Sequence, residues 1–302
     1  MKNNDKLLFR AVGLYIIFGL LLAWCLVGKY SALPWVEKIL PGNPHRILQG
    51  HLDFLLMSAL ILGASATRVR LSWHIRWSMV IGAFTNSSSV IVFAMFPSAD
   101  PGSEAYISGL PVNNMISFLM RISFIITTYG FGGAAICIFL STFEKSKLYT
   151  EHLKNNDILL LRAAGLYLII ALILAWTLIG KYNGMAVVEK LLPGNPHRIL
   201  QTHIGFLLGT ALILGIAAAP AKIAWHIRWA LVIGAFTNTN IFLSFAMFPV
   251  ADPGSDAYLS GLLANEIFGY FTRVSFVVTT YGFVGSGVSI VKSTFSGTKT
   301  NF

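Results

Sequence analysis

Two histidines stand at the same point of two nearly identical segments. His51 lies in PGNPHRILQGHLDFLL and His203 in PGNPHRILQTHIGFLL. Each sits in an apolar run, where an imidazole serves as a ligand, a proton carrier or a hydrogen-bonding partner between helices. His45 and His197 lie six residues upstream, beside Pro44 and Pro196. Six residues turn a helix through about 600°, so they share no face with His51 and His203. At an interface they cap a helix or meet headgroups. With Arg46 or Arg198 they could instead hold a cofactor carboxylate. Asn86 and Asn238, in GAFTN, are amides that need partners in an apolar medium. They act as glue between helices or line a pocket, while the adjacent Thr85 and Thr237 can bond their own helix. Arg121 and Arg273 fall six to seven residues into an apolar run. There they either snorkel to the surface or pair with a carboxylate on a cofactor or substrate.

Other polar groups carry less. His74 and His226 stand in WHIRW, and the flanking tryptophans mark a membrane interface. Asp53 and Glu266 have Gly205 and Asn114 at the corresponding places, so the two segments are not electrostatically equivalent. Asp53 is two residues from His51, on another helix face, and cannot orient its ring. Cys25 and Cys137 fall in apolar runs and form neither a disulfide framework nor a paired metal motif. The chain has no HExxH, GxSxG or P-loop, which leaves zinc hydrolases, nucleophilic triads and kinases unsupported.

The elements that position these residues must be membrane helices. The chain has 302 residues, 55% hydrophobic and 11% charged, against the quarter usual in soluble domains. The net charge of +10 therefore reads as attraction to anionic membrane lipid, and nucleic acid is not expected as a partner. The chain also overlies itself at a shift of 152 residues (203 − 51 = 152). The reading is an all-α integral membrane protein made of two tandem parallel four-helix units, 1–150 and 151–302. Spans are expected near 7–29, 48–66, 75–96 and 115–141, and again near 159–181, 200–218, 227–248 and 267–293. The basic N-terminal segment is kept as the first span, because it recurs at 159–181 and no small-residue cleavage site follows it. Lys2, Lys6, Arg68, Arg70, Arg76, Lys145, Lys147 and Lys154 gather at the ends and in the second loop, which puts both termini in the cytoplasm. The expected location is multi-pass, in a bacterial inner membrane.

The sequence also carries a resemblance. RILQGH opens the second span, a short basic loop follows, and then come GAFTN, FAMFP and a glycine-bearing loop. This pattern resembles the styrene oxide isomerase family of small four-span membrane proteins, over most of each copy but at few positions. The resemblance implies ferric haem b, with His51 and His203 at the place of the axial ligand and Asn86 and Asn238 at that of a third-span asparagine. It implies an open iron face acting as a Lewis acid on a lipophilic epoxide, which rearranges to a carbonyl compound. It also implies a homo-oligomer, a trimer in the family, with haem between subunits. Three family positions differ. Its asparagine falls on Met57 and Gly209, its aspartate on Gly82 and Gly234, and its tyrosine on Val90 and Phe242.

Phe84, Phe93, Phe96, Phe118, Tyr129 and Phe131 could line an apolar pocket or simply pack. Arg121 and Arg273 have no placed family counterpart. The competing readings are a membrane electron carrier, with one haem between His51 and His203, a parallel-repeat transporter, and a non-catalytic scaffold.

Overall fold

A computed structural model of the chain describes residues 6–67, 69–143, 158–219 and 221–295. Lys2, Arg68, Lys145, Lys147 and Lys154, and the expected unit boundary at 150/151, lie outside the described residues. By contacts the chain divides into Met1–Cys137 and Ile138–Phe302. Among the described residues all regular structure is helical, and eight helices are long and apolar enough to cross a membrane.

In the first copy these are α1 (Lys6–Tyr30), α3 (Pro44–Ala66), α4 (Trp73–Met95) and α5 (Pro111–Ser141), with a short α2 (Pro34–Ile39). In the second they are α6 (Ile158–Tyr182), α8 (Pro196–Ala218), α9 (Trp225–Met247) and α10 (Leu263–Phe295), with a short α7 (Ala186–Leu191). The short helices were not expected. In each copy a lysine from the preceding span fastens the short helix. Lys29 pairs with Glu37 and donates to the Leu40 carbonyl at 2.9 Å. Lys181 pairs with Glu189 and donates to the Leu192 carbonyl at 2.7 Å.

The start of α3 is written in its sequence. Pro44 takes the first helical position, where no amide hydrogen is needed. The Asn43 side chain caps it by accepting from the His45 amide at 2.9 Å. Asn195 and His197 repeat this in α8. The preceding loop docks on the end of α4, where Gly42 N–H donates to the Ala94 carbonyl at 2.8 Å. A Cβ on Gly42 would stand 2.8 Å from the Phe93 and Ala94 carbonyl oxygens, so the docking needs glycine.

In the first unit α1 packs on α3, and α3 on α4. Tyr15, Phe18, Phe54 and Phe84 form the aromatic centre, with ring centroids 5.8–6.2 Å apart. The buried Tyr15 hydroxyl donates to the Val80 carbonyl, and Tyr167 does the same to Val232. The remaining long helix packs along α4 through small residues, as membrane helices do. A Cβ at Gly82 would lie 2.6 Å from Thr127 Cα, and one at Gly130 would lie 2.4 Å from the Met79 nitrogen. Thr85 Oγ1 meets Ser123 Oγ at 2.7 Å across this seam and also donates to the Ile81 carbonyl at 2.9 Å. Thr237, Ser275 and Ile233 repeat both bonds in the second unit.

Candidate functional site

His51 is half-buried on α3, and its Nδ1 lies 2.8 Å from the carbonyl oxygen of Gly19 on α1. A carbonyl can only accept, so Nδ1 is the donor. In the neutral imidazole the lone pair is then on Nε2, which makes no hydrogen bond among the described residues. His203 repeats the geometry, with Nδ1 2.8 Å from the Ala171 carbonyl of α6. The ring is fixed in tautomer and direction by backbone, as metal-binding histidines commonly are. The orienting group comes from α1, consistent with the expectation that Asp53 does not hold the ring.

Helix registers place the polar residues in one layer. Gly50 of α3 faces Ile91 of α4, and Phe54 faces Phe84. In the second unit Gly205 faces Thr239, the places of Asp53 and Ser87 in the first. Thr85 faces Ser123 of α5. His51, Asp53, Asn86 and Ser87 are therefore within about two helical turns of one another along the membrane normal. Ser87 is fully buried and its Oγ has no partner among the described residues. The half-buried Asn86 and Asn238 side chains also have no hydrogen-bond partner among the described residues.

The arginines share the layer and not its interior. Arg121 is two residues before Ser123, a turn of about 200° from the face that meets α4. Arg121 and Arg273 are exposed on the outward sides of their helices. They lie ten residues after Pro111 and Leu263, deeper than the expected six to seven because both helices begin earlier than expected. The structure thus does not bring Arg121 to His51 within the first unit, nor Arg273 to His203 within the second.

His45 and His197 are exposed in the first turns of α3 and α8, away from the faces of His51 and His203. Neither side chain meets the lower histidine. The neighbouring arginines are engaged inside the chain. Arg46 holds Asp100 through Nε at 2.8 Å and Nη2 at 2.6 Å, with its guanidinium 5.4 Å above the Phe93 ring. Arg198 clamps Asp252 in the same two-pronged way at 2.7 and 2.5 Å. Burial pushes the Asp100 and Asp252 carboxyls up. The arginine hydrogen bonds, the amides of Gly102 and Gly254 and the arginine charge outweigh it and hold both below the usual carboxylate range.

Sequence reading missed these clamps, although the same Arg–Asp spacing of 54 residues in both copies was the available signal. It also missed the partner of His74. Tyr129 OH lies 2.7 Å from His74 Nδ1, and Tyr281 from His226 at the same distance. Of the aromatic candidates, Phe84 joins the central cluster and Phe131 is buried, while Phe118 faces outward.

No set of three or more metal-ligating side chains gathers among the described residues. Each unit carries three described histidines, of which His51 and His203 are held through Nδ1 by a backbone carbonyl. No protein-family model, curated protein or solved structure matches the chain.

Proposed function

We propose that this chain is a haem b-dependent membrane isomerase of the styrene oxide isomerase kind, acting on a lipophilic epoxide-like substrate. The observation that carries the reading is the paired imidazole geometry. His51 and His203 are each oriented through Nδ1 by a backbone carbonyl, and each keeps Nε2 as an available donor. An orienting hydrogen bond raises the basicity of the other ring nitrogen, which suits an iron ligand. Ferric haem held this way supplies a Lewis acid for an ether-type oxygen.

The rest of the work falls to the chain. The apolar spans keep water from the rearranging substrate. The Asn86 and Asn238 amides, unpaired in the same layer, donate to an oxygen that gains negative charge. Arg121 and Arg273, on the outer faces, receive a carboxylate from a cofactor or substrate bound outside their own unit. His45 and His197, exposed at the first turn of α3 and α8, contact the cofactor's polar edge. Association of chains into a ring would bring such outer faces against neighbouring units, and cross-linking that finds only monomer opposes that part.

The departures from the family have a physical form here. Where the family has an aspartate, Gly82 and Gly234 lie against α5 and α10, and a Cβ would approach Thr127 and Thr279 backbone to 2.6 and 2.5 Å. No acid fits there, so any proton handling at that place is carried by other groups.

The test is the visible spectrum of the purified chain. A Soret band is expected, of high-spin ferric type and perturbed by lipophilic epoxide analogues. His51→Ala and His203→Ala should each remove about half of the pigment, and the double variant all of it. A low-spin spectrum indifferent to small ligands supports the electron carrier. Colourless protein, or pigment untouched in the double variant, overturns the haem reading.

A further inference from the structure

The proposed chemistry leaves one polar group of the spans unused, Asp53. It stands nine residues into the 23-residue α3 (53 − 44 = 9), about 14 Å from the helix start and close to the middle of the span. Two contacts fix the register of α3 on α4 around it. A Cβ at Gly50 would lie 2.1 Å from Ile91 Cδ1, and the Phe54 and Phe84 rings are 6.0 Å apart. Asp53 falls between these contacts, level with Ser87. In the second unit the same two places touch, since a Cβ at Gly205 would lie 3.1 Å from Thr239 Oγ1. Ser87 is fully buried and its Oγ has no partner among the described residues. Asp53 is about 200° around α3 from His51, which faces α1, so the two side chains look to opposite flanks.

The Asp53 carboxylate makes no hydrogen bond or ion pair among the described residues. Within the first unit Arg46 holds Asp100, Lys29 holds Glu37, and Arg121 turns outward. A bare carboxylate inside a span is costly, and one positive charge beside it offsets that cost. Carboxylate and hydroxyl oxygens are hard donors, which suit hard cations over soft metals. One carboxylate balances one charge, whereas a divalent ion would leave net charge in the hydrocarbon. Asp53 is half-buried and not sealed, so an ion can reach it.

We infer that Asp53 and Ser87 bind a small alkali cation, sodium, near the middle of the first unit. The carboxylate supplies the charge and Ser87 Oγ a neutral donor. The site belongs to the first unit alone, because Gly205 supplies no carboxylate in the second. Neither haem nor isomerase activity is needed for it, and pigmented and colourless protein should bind the ion alike.

Equilibrium binding of radioactive sodium to the purified full chain in detergent, at one pH and constant ionic strength, tests it. Binding should saturate at one ion per chain, and unlabelled sodium should displace the ion about tenfold better than hexylammonium does. Asp53→Asn should abolish binding. Ser87→Ala should weaken it about tenfold, the scale of one hydrogen-bonding group lost to a charged partner. Thr239→Ala, at the corresponding place of the second unit, should leave it unchanged. If Asp53→Asn does not fold, the Ser87 and Thr239 substitutions decide alone. Absence of saturable binding, binding that survives Asp53→Asn, equal effects of Ser87→Ala and Thr239→Ala, or stronger displacement by hexylammonium than by sodium overturns the inference.

Discussion

The two-pronged grip of Arg46 on Asp100 fastens the start of α3 to the loop after α4, close above the layer that holds His51. Asp100 is 2% exposed, so Asp100→Asn leaves the half-buried Nε and Nη2 of Arg46 with one neutral amide oxygen in place of a carboxylate, while Nη1 keeps Gln49. Asp100→Asn or Asp252→Asn should each cost about 2 kcal/mol at neutral pH, the scale of a hydrogen bond to a charged group. The direction with pH follows from both carboxyls being held below their usual range. A group whose pKa is lower folded than unfolded stabilises the fold above its unfolded value, about 3.9. That contribution is lost as pH falls through the folded value. Thermal stability in detergent should therefore be level between about pH 5 and 8 and fall below about pH 4. The double Asp→Asn variant should be less stable at neutral pH and lose this part of the acid dependence. A second contrast is built into the repeat. Ala32 has φ +51° where its counterpart Gly184 has φ +65°. Nothing lies within 4 Å of a Cβ at Gly184, so only backbone conformation differs. Gly184→Ala should cost about 1 kcal/mol, and Ala32→Gly should be neutral or stabilising, both read by thermal unfolding.

Among the helices, close backbone approach does what hydrophobic burial does in water. A Cβ at Gly282 would lie 2.3 Å from the Leu231 nitrogen, whereas Gly269 and Gly287 of the same helix meet nothing within 4 Å. Gly282→Ala must push α10 from α9 and should cost about 1–3 kcal/mol, the range for overpacking. Gly269→Ala and Gly287→Ala should be neutral or stabilising, because alanine favours helix. Equal behaviour of the three in a thermal-shift assay would mean that the seam is not tightly packed. The same setting explains what the sequence could reveal. Eight long apolar runs and their repetition were legible because the bilayer fixes helix length. Facing directions were not, because lipid and helix neighbours are equally apolar and the usual amphipathic stripe fades. Hence Arg121 and Asn86 could be assigned to spans, while only the structure shows one turned out and the other level with His51. The ring partner of His51 was hidden for another reason. It is the backbone carbonyl of Gly19, a group that every residue carries. Lys29 and Glu37 are eight residues apart, and the short helix between them shows only through their pairing.

Across the whole chain, charge is arranged by helix end. In each copy two basic residues at the end bearing the short helix are neutralised by acids, Lys29 by Glu37 and Arg46 by Asp100, then Lys181 by Glu189 and Arg198 by Asp252. At the other end stand Lys6, Arg10, Arg70 and Arg76 in the first copy, and Arg162, Lys222, Arg228 and Lys292 in the second. Basic residues near span ends favour the cytoplasmic side. Charges clamped by acids, such as Lys29 and Arg46, add little to the field felt by anionic lipid. Four crossings per copy also return the chain to the side on which it began. The loops holding Glu104 and Asp256 should therefore both lie outside the cytoplasm, and those holding Ser72 and Ala224 within it. Replacing Cys25 and Cys137 with alanine gives a background for single reporters. Glu104→Cys and Asp256→Cys should react with a membrane-impermeant maleimide in intact cells, while Ser72→Cys and Ala224→Cys should react only after permeabilisation. The reverse pattern would invert the chain. Labelling of Glu104→Cys without Asp256→Cys would break the expected equivalence of the copies and with it the expectation that His51 and His203 lie at the same depth from the same surface.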